Sequence, residues 1–385
     1  MSEMRLLYYS PASYGGIADY AREQANALVD LGIDVTFLCT PEYPLGKGEK
    51  YRVLPELEKI SPNQPLPHKM LKKAHFAAII LVNFFKLFRL IQAEEFRYVL
   101  LGSYVEYLAP FWSSWLQQLA QSGVVFGAVV HDPVRDFIVG PGWWHRWSIA
   151  CGYSFLKDAF VHEEIELDTV RPMPKLRTTV IPYGTHHFPP ANKSRTTVRT
   201  DFNLPIDANV MLAFGHIRDN KNLDLVIRAM AYFPDLYLLV VGKEQSSGQR
   251  PAVFYQALAQ QCGVANRCRW KVEFVPDTEI ANLFEAADIT ILTYSKTFRS
   301  ASSALNAAAG YRKPCLASAG ESSLRAVVQR YKLGIWVEPD DVDSIVNGIE
   351  KWLKNPPIPR WEQYFEENSW MLNARLVVNS LSNNL

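Results

Sequence analysis

Arg218 and Lys221 stand three residues apart in Gly215-His216-Ile217-Arg218-Asp219-Asn220-Lys221-Asn222, between an apolar run and the start of a helix. Cations at that end of a helix oppose its dipole, which prefers anions there. Two of them together make sense if an anion such as a diphosphate sits between them. A solvated charge pair is the competing reading, because the adjacent Asp219 could partner either one. Two more loops are suited to an anion. In Ser13-Tyr14-Gly15-Gly16 the glycines allow a ligand to approach the backbone just before a helix, or they simply make a tight turn. In Phe298-Arg299-Ser300-Ala301-Ser302-Ser303, small residues and hydroxyls lead into a helix. They suit phosphate oxygens, and capping by Ser302 or Ser303 explains them equally well.

Histidines are the next candidates. His131 closes the apolar run 124–130, where it is either a cleft residue or a satisfied structural histidine. His186-His187 makes a poor metal site: adjacent side chains diverge, and no carboxylate or cysteine sits at ligand spacing. The five cysteines, Cys39, Cys151, Cys262, Cys268 and Cys315, contain no C-x-x-C, which argues against a disulfide framework or structural zinc and for a reducing cytoplasm. No export signal opens the chain, since residues 1–9 lead straight into a strand-like run.

Alternating strands and helices must position these groups. Residues 5–9 form a short apolar strand, 17–31 a helix stopped by Gly32, and 35–38 a strand, giving a β-loop-α-β unit. Residues 98–101 and 124–130 have the apolar runs of parallel strands covered on both faces, and 159–162 and 179–181 end this half. Residues 188–200, with two prolines and no apolar period, suggest a linker. The second half alternates in the same way, with strands at 210–214, 236–241, 270–274, 288–293 and 314–317 and helices near 223, 279–286 and 303–310. We therefore expect an α/β protein of two halves with a cleft between them, ligands lying beyond the carboxyl ends of the strands.

Composition agrees. Across 385 residues, 48% hydrophobic side chains supply sizeable cores, and 40 basic against 39 acidic residues leave none of the basic excess of a nucleic-acid binder. Residues 69–90 (KMLKKAHFAAIILVNFFKLFRL) hold a 12-residue uncharged core at 74–85, too short to span a bilayer. Lys73 and Lys86 point apart on a helix, so the segment reads either as a mostly buried helix with wet tips or as a helix touching a membrane surface. Its first turn, with Lys69, Lys72 and Lys73, is best placed to meet anions. The Trp143-Trp144 pair and the Trp112 to Trp115 stretch are core or an apolar acceptor wall.

Taken in order, these pieces resemble the retaining glycosyltransferases of the two-Rossmann-domain GT-B fold, in particular family 4, over nearly the whole chain. Tyr14-Gly15-Gly16-Ile17 is similar to the family's glycine loop, and Val129-Val130-His131-Asp132 to its cleft histidine. Val180-Ile181-Pro182-Tyr183-Gly184-Thr185 resembles its "viPnGvd" element, and the Gly215 to Asn222 stretch its diphosphate clamp. Phe274-Val275-Pro276 resembles "f-v-p", Tyr311-Arg312-Lys313-Pro314 "y-g-K-P", and residues 334–341 "G-i-x-v-x-p-x-D".

The resemblance implies an acceptor domain at 1–190, a nucleotide-sugar donor domain at 200–360, and a terminal helix within 361–385 that returns to the first domain. It implies that Arg218 and Lys221 hold the diphosphate and stabilise the leaving group, and that His131 contacts the sugar. Gly15 and Gly16 lie beside the phosphates, and backbone around Phe274 and Val275 meets the base. No metal is expected. The acceptor is a glycan, a lipid-linked glycan or a small molecule, and the enzyme is cytoplasmic or peripheral at the inner membrane face. One departure stands out: the family's two glutamates fall on Arg299 and Ala307. Asn306 could accept a ribose hydroxyl instead, and Ser300, Ser302 and Ser303 lie close by in sequence. The missing glutamates favour a second reading, a catalytically silent sugar-nucleotide-binding subunit; the clamp and His131 favour an active enzyme. An oxidoreductase fails for want of G-x-G-x-x-G, and sugar-nucleotide epimerisation stays open.

Overall fold

The computed structural model describes residues 4–46, 48–59, 69–131, 133, 138, 140–185, 189–244, 248–298 and 302–382. The chain divides into two compact units, Met1–Gly184 with Glu367–Leu385, and Thr185–Glu366.

The first unit is built on a parallel sheet of β1 (Arg5–Tyr9), β2 (Asp34–Leu38), β3 (Arg52–Leu54), β4 (Tyr98–Leu101), β5 (Val125–Val129), β6 (Asp158–Val161) and β7 (Arg177–Val180), in the order β3-β2-β1-β4-β5-β6-β7. Its helices are α1 (Gly16–Asp30), α2 (Lys69–Ala93), α3 (Ala109–Gln121) and α4 (Gly142–Tyr153), with one more from the far end of the chain. The second unit opens with α5 (Arg195–Asp201). Its sheet comprises β8 (Asn209–Phe214), β9 (Leu236–Val241), β10 (Cys268–Lys271), β11 (Ile289–Thr293), β12 (Cys315–Ser318) and β13 (Gly334–Trp336), in the order β10-β9-β8-β11-β12-β13. Its remaining helices are α6 (Leu223–Ala229), α7 (Ala252–Gln261), α8 (Asp277–Ala286), α9 (Ser303–Gly310), α10 (Ser323–Arg330), α11 (Val342–Lys354) and α12 (Trp361–Glu367), and α13 (Trp370–Ser382) follows. In both sheets the order reverses beside the first strand, the doubly wound arrangement in which ligands bind past the strand ends. Central strands such as β4 (YVLL) are buried throughout, which is why they read as unbroken apolar runs.

Three expectations are corrected. Residues 188–200 are not all linker: Ser194 caps α5, whose Arg195 and Arg199 reach Asp288 at 2.5 and 2.8 Å. The strand expected over 270–274 stops at Lys271, because its partner β9 ends at Val241 and Gly242 turns away. Gly242 does so at φ 149°, passing so close to the Gly215 carbonyl that no Cβ would fit. The terminal segment is two helices belonging to different units. Trp361 and Tyr364 of α12 pack with Tyr294, Leu305 and Tyr331 in the second unit, and α13 completes the first.

In the first unit α13 inserts Trp370, Ala374, Val377 and Leu381 into a core shared with α1 and the sheet. Its buried Asn373 accepts from Gln24 Nε2 (2.7 Å) and donates to Tyr20 Oη (2.8 Å) and the Pro182 carbonyl (2.7 Å). Tyr8 Oη donates to Gln24 Oε1 at 2.8 Å, so the buried polar groups satisfy one another. Farther along, buried Asp158 takes Arg177 (2.8 and 3.0 Å) and Ser380 Oγ (2.8 Å). Gly184 sits at φ 86° under the Trp370 ring, where a Cβ would collide with the indole. Gly184→Ala therefore combines a left-handed backbone penalty with overpacking, and we expect it to cost the first unit about 2–4 kcal/mol. Thermal unfolding of the variant would measure it; an unchanged midpoint would show that the α13 seat is loose.

Helix α2 is longer and less buried than its sequence suggested. By length and composition Ala74–Ala93 suffices to cross a membrane, yet one side of it is core, with Ile80, Phe84, Leu87 and Ile91 buried and Phe84 stacked on fully buried Trp112 at 3.6 Å. Only 28% of the apolar window is buried, so of the two readings the mostly buried one does not hold. The tryptophans split as well: Trp112 is core, Trp115 and Trp144 are half-buried, and Trp143 is exposed.

Candidate functional site

The Arg218–Lys221 loop lies at the carboxyl end of β8. Gly215 turns at φ 87° with its would-be Cβ 3.3 Å from Lys221 Nζ, so glycine here leaves room for the ammonium. Arg218 precedes a single 3₁₀ turn, Asp219–Lys221, and Asn222 adopts a left-handed conformation (φ 51°) ahead of α6. The loop is pinned to the end of β11. Ser295 N–H donates to the Asn220 carbonyl (2.8 Å) and Thr293 Oγ1 to the Lys221 carbonyl (3.0 Å). Asn222 Nδ2 donates to Asp340 Oδ1 (2.9 Å), and Asp340 Oδ2 accepts from Lys296 N–H (3.1 Å).

Asp219 does not neutralise Lys221. Its Oδ1 accepts from Arg250 Nε (2.9 Å), Arg250 N–H (3.1 Å) and Tyr255 Oη (3.0 Å). Burial works against its charge, and these bonds outweigh burial, holding the carboxyl below its usual range. Lys221 Nζ donates to the Phe214 carbonyl at 2.8 Å, and among the described residues no carboxylate lies within ion-pair distance of it. Burial first, then repulsion from Arg218, pulls its pKa down to about 7. Burial also lowers the pKa of neighbouring His216, with the positive charges of Arg218, Lys221 and Lys243 adding to it. Basic side chains thus cluster at the ends of β8 and β9, and one of them, Arg218, lines an open cavity of about 450 Å³ with Asp219, Asn220, Gln249, Ser295 and Thr297. Asn220 Oδ1 is buried there without a hydrogen bond. Such a concentration of like charge is stabilised by an anion.

The other expected donor residues fare differently. Ser302 is the N-cap of α9: its Oγ accepts from Leu305 N–H (3.1 Å) and bonds Tyr294 Oη (2.8 Å), so the capping explanation holds and Ser302 is corrected to a structural residue. Ser303 is exposed at the first turn of α9. Asn306 Oδ1 already accepts from Tyr364 Oη at 3.2 Å, which occupies the atom expected to accept a ribose hydroxyl. Ala307, at one missing-glutamate position, is buried among Phe284, Val275 and Leu283. Ser300 and Arg299 lie outside the described residues. Phe274 is 75% exposed in the loop before α8, a flat apolar face open to a base, and Val275 beside it is buried.

In the first unit Gly15 caps α1 at φ 80°, which requires glycine, and open space lies where a Cβ would stand at both Gly15 and Gly16. His131 follows β5, with Nε2 3.0 Å from the Gly102 carbonyl and its ring edge-on to Tyr20. Sequence reasoning missed its neighbour His162, although a histidine ending a strand was the signal available at both positions. His162 Nδ1 bonds the Ile181 carbonyl (3.2 Å), Nε2 is buried without a partner, and the ring packs 5.6 Å from His131. Burial, then His131, lowers its pKa to about 3. The unfolded chain takes up this proton below its ordinary 6.5 while the native state resists until about 3. His162 therefore removes stability as pH falls through that window. We expect His162→Gln to lose less stability between pH 6.5 and 4 than the parent, by denaturant titration. Equal losses would mean that other groups govern acid unfolding. Among the described residues no three His, Cys, Asp or Glu are grouped to hold a metal ion, and His186-His187 lies outside them. All five cysteines are free.

Comparison with known proteins fits this layout. Residues 14–185 match Glycosyltransferase Family 4, and residues 194–369 match Glycosyl transferases group 1. The chain belongs to the family 4, group 1 glycosyltransferases. It is similar to the D-inositol 3-phosphate glycosyltransferase of Mycobacterium leprae, 33% identical over 108 residues, which is 27% of this chain and 24% of that protein. The match thus spans about a quarter of that curated relative. Among solved structures, a glycosyltransferase from Rickettsia africae aligns with a TM-score of 0.71 at 17% identity, covering 100% of both chains. Anabaena HepE in complex with UDP and glucose aligns with a TM-score of 0.66 at 15% identity, covering 99% of this chain and 100% of that one. Both solved structures share the GT-B fold with this chain.

Proposed function

We propose that this glycosyltransferase moves a hexose from a nucleotide-diphosphate donor to an acceptor hydroxyl with retention of anomeric configuration. The observation that carries the reading is Lys221, an enclosed ammonium beside Arg218 with no carboxylate at ion-pair distance among the described residues. A diphosphate supplies the missing negative charge. As the bond from the anomeric carbon to the phosphate oxygen breaks, charge grows on the departing diphosphate, and the two cations stabilise it where it forms. They supply this charge without a metal, so transfer is expected to survive a chelator. Exposed Phe274 offers its ring, and the backbone at Val275 its polar groups, to the base. His131 and the Gly15–Gly16 turn are assigned by resemblance to the sugar and the phosphates. The acceptor is a glycan, a lipid-linked glycan or a small molecule, and the protein works in the cytoplasm or peripherally at the inner membrane face.

Thermal unfolding with uridine, guanosine and adenosine diphosphates and their sugars tests the donor site. Binding to the native state alone adds about 2.7 kcal/mol at 100-fold excess over Kd. We expect one nucleotide class to raise the midpoint, followed by acceptor-dependent release of that diphosphate. No shift with any of them, from folded protein, rejects the donor assignment. A shift without transfer, together with Ala307 at a family glutamate position, would favour the silent subunit.

A further inference from the structure

Helices α2, α3 and α4 pack side by side over one face of the first sheet, and each exposes large apolar side chains on its outward side. On α2, Leu71, Ala74, Ala78, Val82 and Phe85 are exposed at helical spacing, one stripe facing away from the core. Phe85 meets Trp115 of α3 edge-on at 5.8 Å. One turn before Trp115, Phe111 is 55% exposed and lies 5.6 Å from Trp144 of α4. Trp144 in turn contacts exposed Trp143 and Trp147. Ring contacts therefore join α2 to α3 and α3 to α4, whereas monomeric proteins rarely leave an extended apolar patch uncovered.

The charge on these helices is one-sided. Not one Asp or Glu occurs in α2, α3 or α4, while α2 carries Lys69, Lys72, Lys73, Lys86 and Arg89 and α4 carries Arg146. The chain as a whole has a formal charge of only +1. Lys86 is held by Glu58 (2.7 Å), and Arg146 has a loose contact with Asp168 (4.0 Å).

We propose that the outer face of α2, α3 and α4 is a docking surface for an anionic lipid bilayer, lying in the interface without crossing it. Tryptophan suits this place, with an apolar body for the acyl boundary and an N–H for the headgroups. Basic side chains add attraction, each about fivefold in affinity near an anionic surface. The buried side of α2, with Phe84 on Trp112, keeps that helix in the protein core and excludes it from spanning. A second copy of the chain would also cover apolar area, but these helices carry no Asp or Glu with which to pair each other's basic residues across a face-to-face dimer. This inference rests on the outer helices and not on the donor site.

The test is flotation of the full chain with phosphatidylcholine vesicles and with vesicles in which about three lipids in ten are phosphatidylglycerol. We expect binding to the anionic vesicles, at least ~10-fold weaker binding to the neutral ones, and weakening in roughly 0.5 M salt. The variant Phe85→Ser/Trp143→Ser/Trp147→Ser should lose at least ~10-fold in vesicle affinity. Arg89→Gln/Arg146→Gln, which leaves the apolar face whole, should reduce binding to the anionic vesicles alone. Nucleotide-diphosphate thermal shifts on the same samples report folding and the donor site separately. No binding by the parent chain, or unchanged binding by the serine variant, overturns the proposal. A dimer in solution that the serine variant dissociates overturns it in favour of self-association.

Discussion

Replacing Lys221 by methionine is expected to weaken nucleotide-diphosphate binding by about 100-fold while raising the melting temperature of the empty protein. The loss follows from removing a charge-assisted bond to phosphate, at roughly 1.5–3 kcal/mol. The gain follows from the depressed pKa, because an ammonium that titrates at about 7 rather than 10.5 is held charged at a cost below pH 7. Removing it relieves burial and the repulsion by Arg218, and each kcal/mol recovered is worth about 2–4 °C in a unit of this size. The pH dependence has a definite sign. Between about 7 and 10.5 the unfolded chain holds a proton at Lys221 that the native state has released, so stability from this group climbs with pH across that window. Ligand affinity runs the other way, falling above pH 7 as the ammonium is lost. Lys221→Arg should flatten that fall, since a guanidinium stays charged. Calorimetric titration with the diphosphate at pH 6.5 and 8.5 measures both effects. Equal affinity at the two pH values, or a destabilised Lys221→Met, would show that Lys221 is a structural residue.

The second large effect concerns Arg199, which is fully buried in α5. Its guanidinium donates to the carbonyls of Ala286 (3.0 Å), Pro205 (3.2 Å), Ile206 and Ala208 (2.8 Å) and to Asp288 Oδ2 (2.8 Å). Arg199→Met takes this donor from the carbonyls of Ala286, Ile206 and Ala208 and leaves Asp288 with only Arg195 and the Val210 N–H, at about 3–5 kcal/mol for a broken buried pair. We expect the unit's melting midpoint to drop on the order of 10 °C. Arg195→Met should cost less, because its partner Asp288 keeps Arg199 and the Val210 N–H. Similar losses in the two variants would mean that the cluster acts through its net charge.

These two residues mark what could be read from the sequence and what could not. The strands were legible because buried parallel strands are apolar throughout, and the clamp because a local spacing of two cations is a local signal. Arg199 was hidden in a polar stretch that looked like linker. Its partners are the 205–208 turn and residues 286 and 288, so nothing within the stretch betrayed the helix. The serines before α9 were ambiguous for the opposite reason: a cap and a phosphate cradle demand the same residue types, and only the bonds that Ser302 Oγ makes with Leu305 N–H and Tyr294 Oη identify it as the cap. The end of β10 depended on where a different strand turned. His162 was a matter of convergence, since three strand ends bring His131, His162 and Tyr183 around Tyr20 from distant parts of the chain.

Helix α13 has a consequence for how the protein is made. A ribosome releases residues 1–184 first, but the core they form lacks Trp370, Val377 and Leu381 until the last helix emerges. Between them comes the whole of 185–366, which at 5–20 residues per second takes roughly 10–40 s to synthesise. For that interval Tyr20, Gln24 and the Pro182 carbonyl face outward without Asn373. The second unit, although synthesised later, is the first that can finish folding, and the nascent first unit presents an open apolar seam that chaperones are equipped to shield.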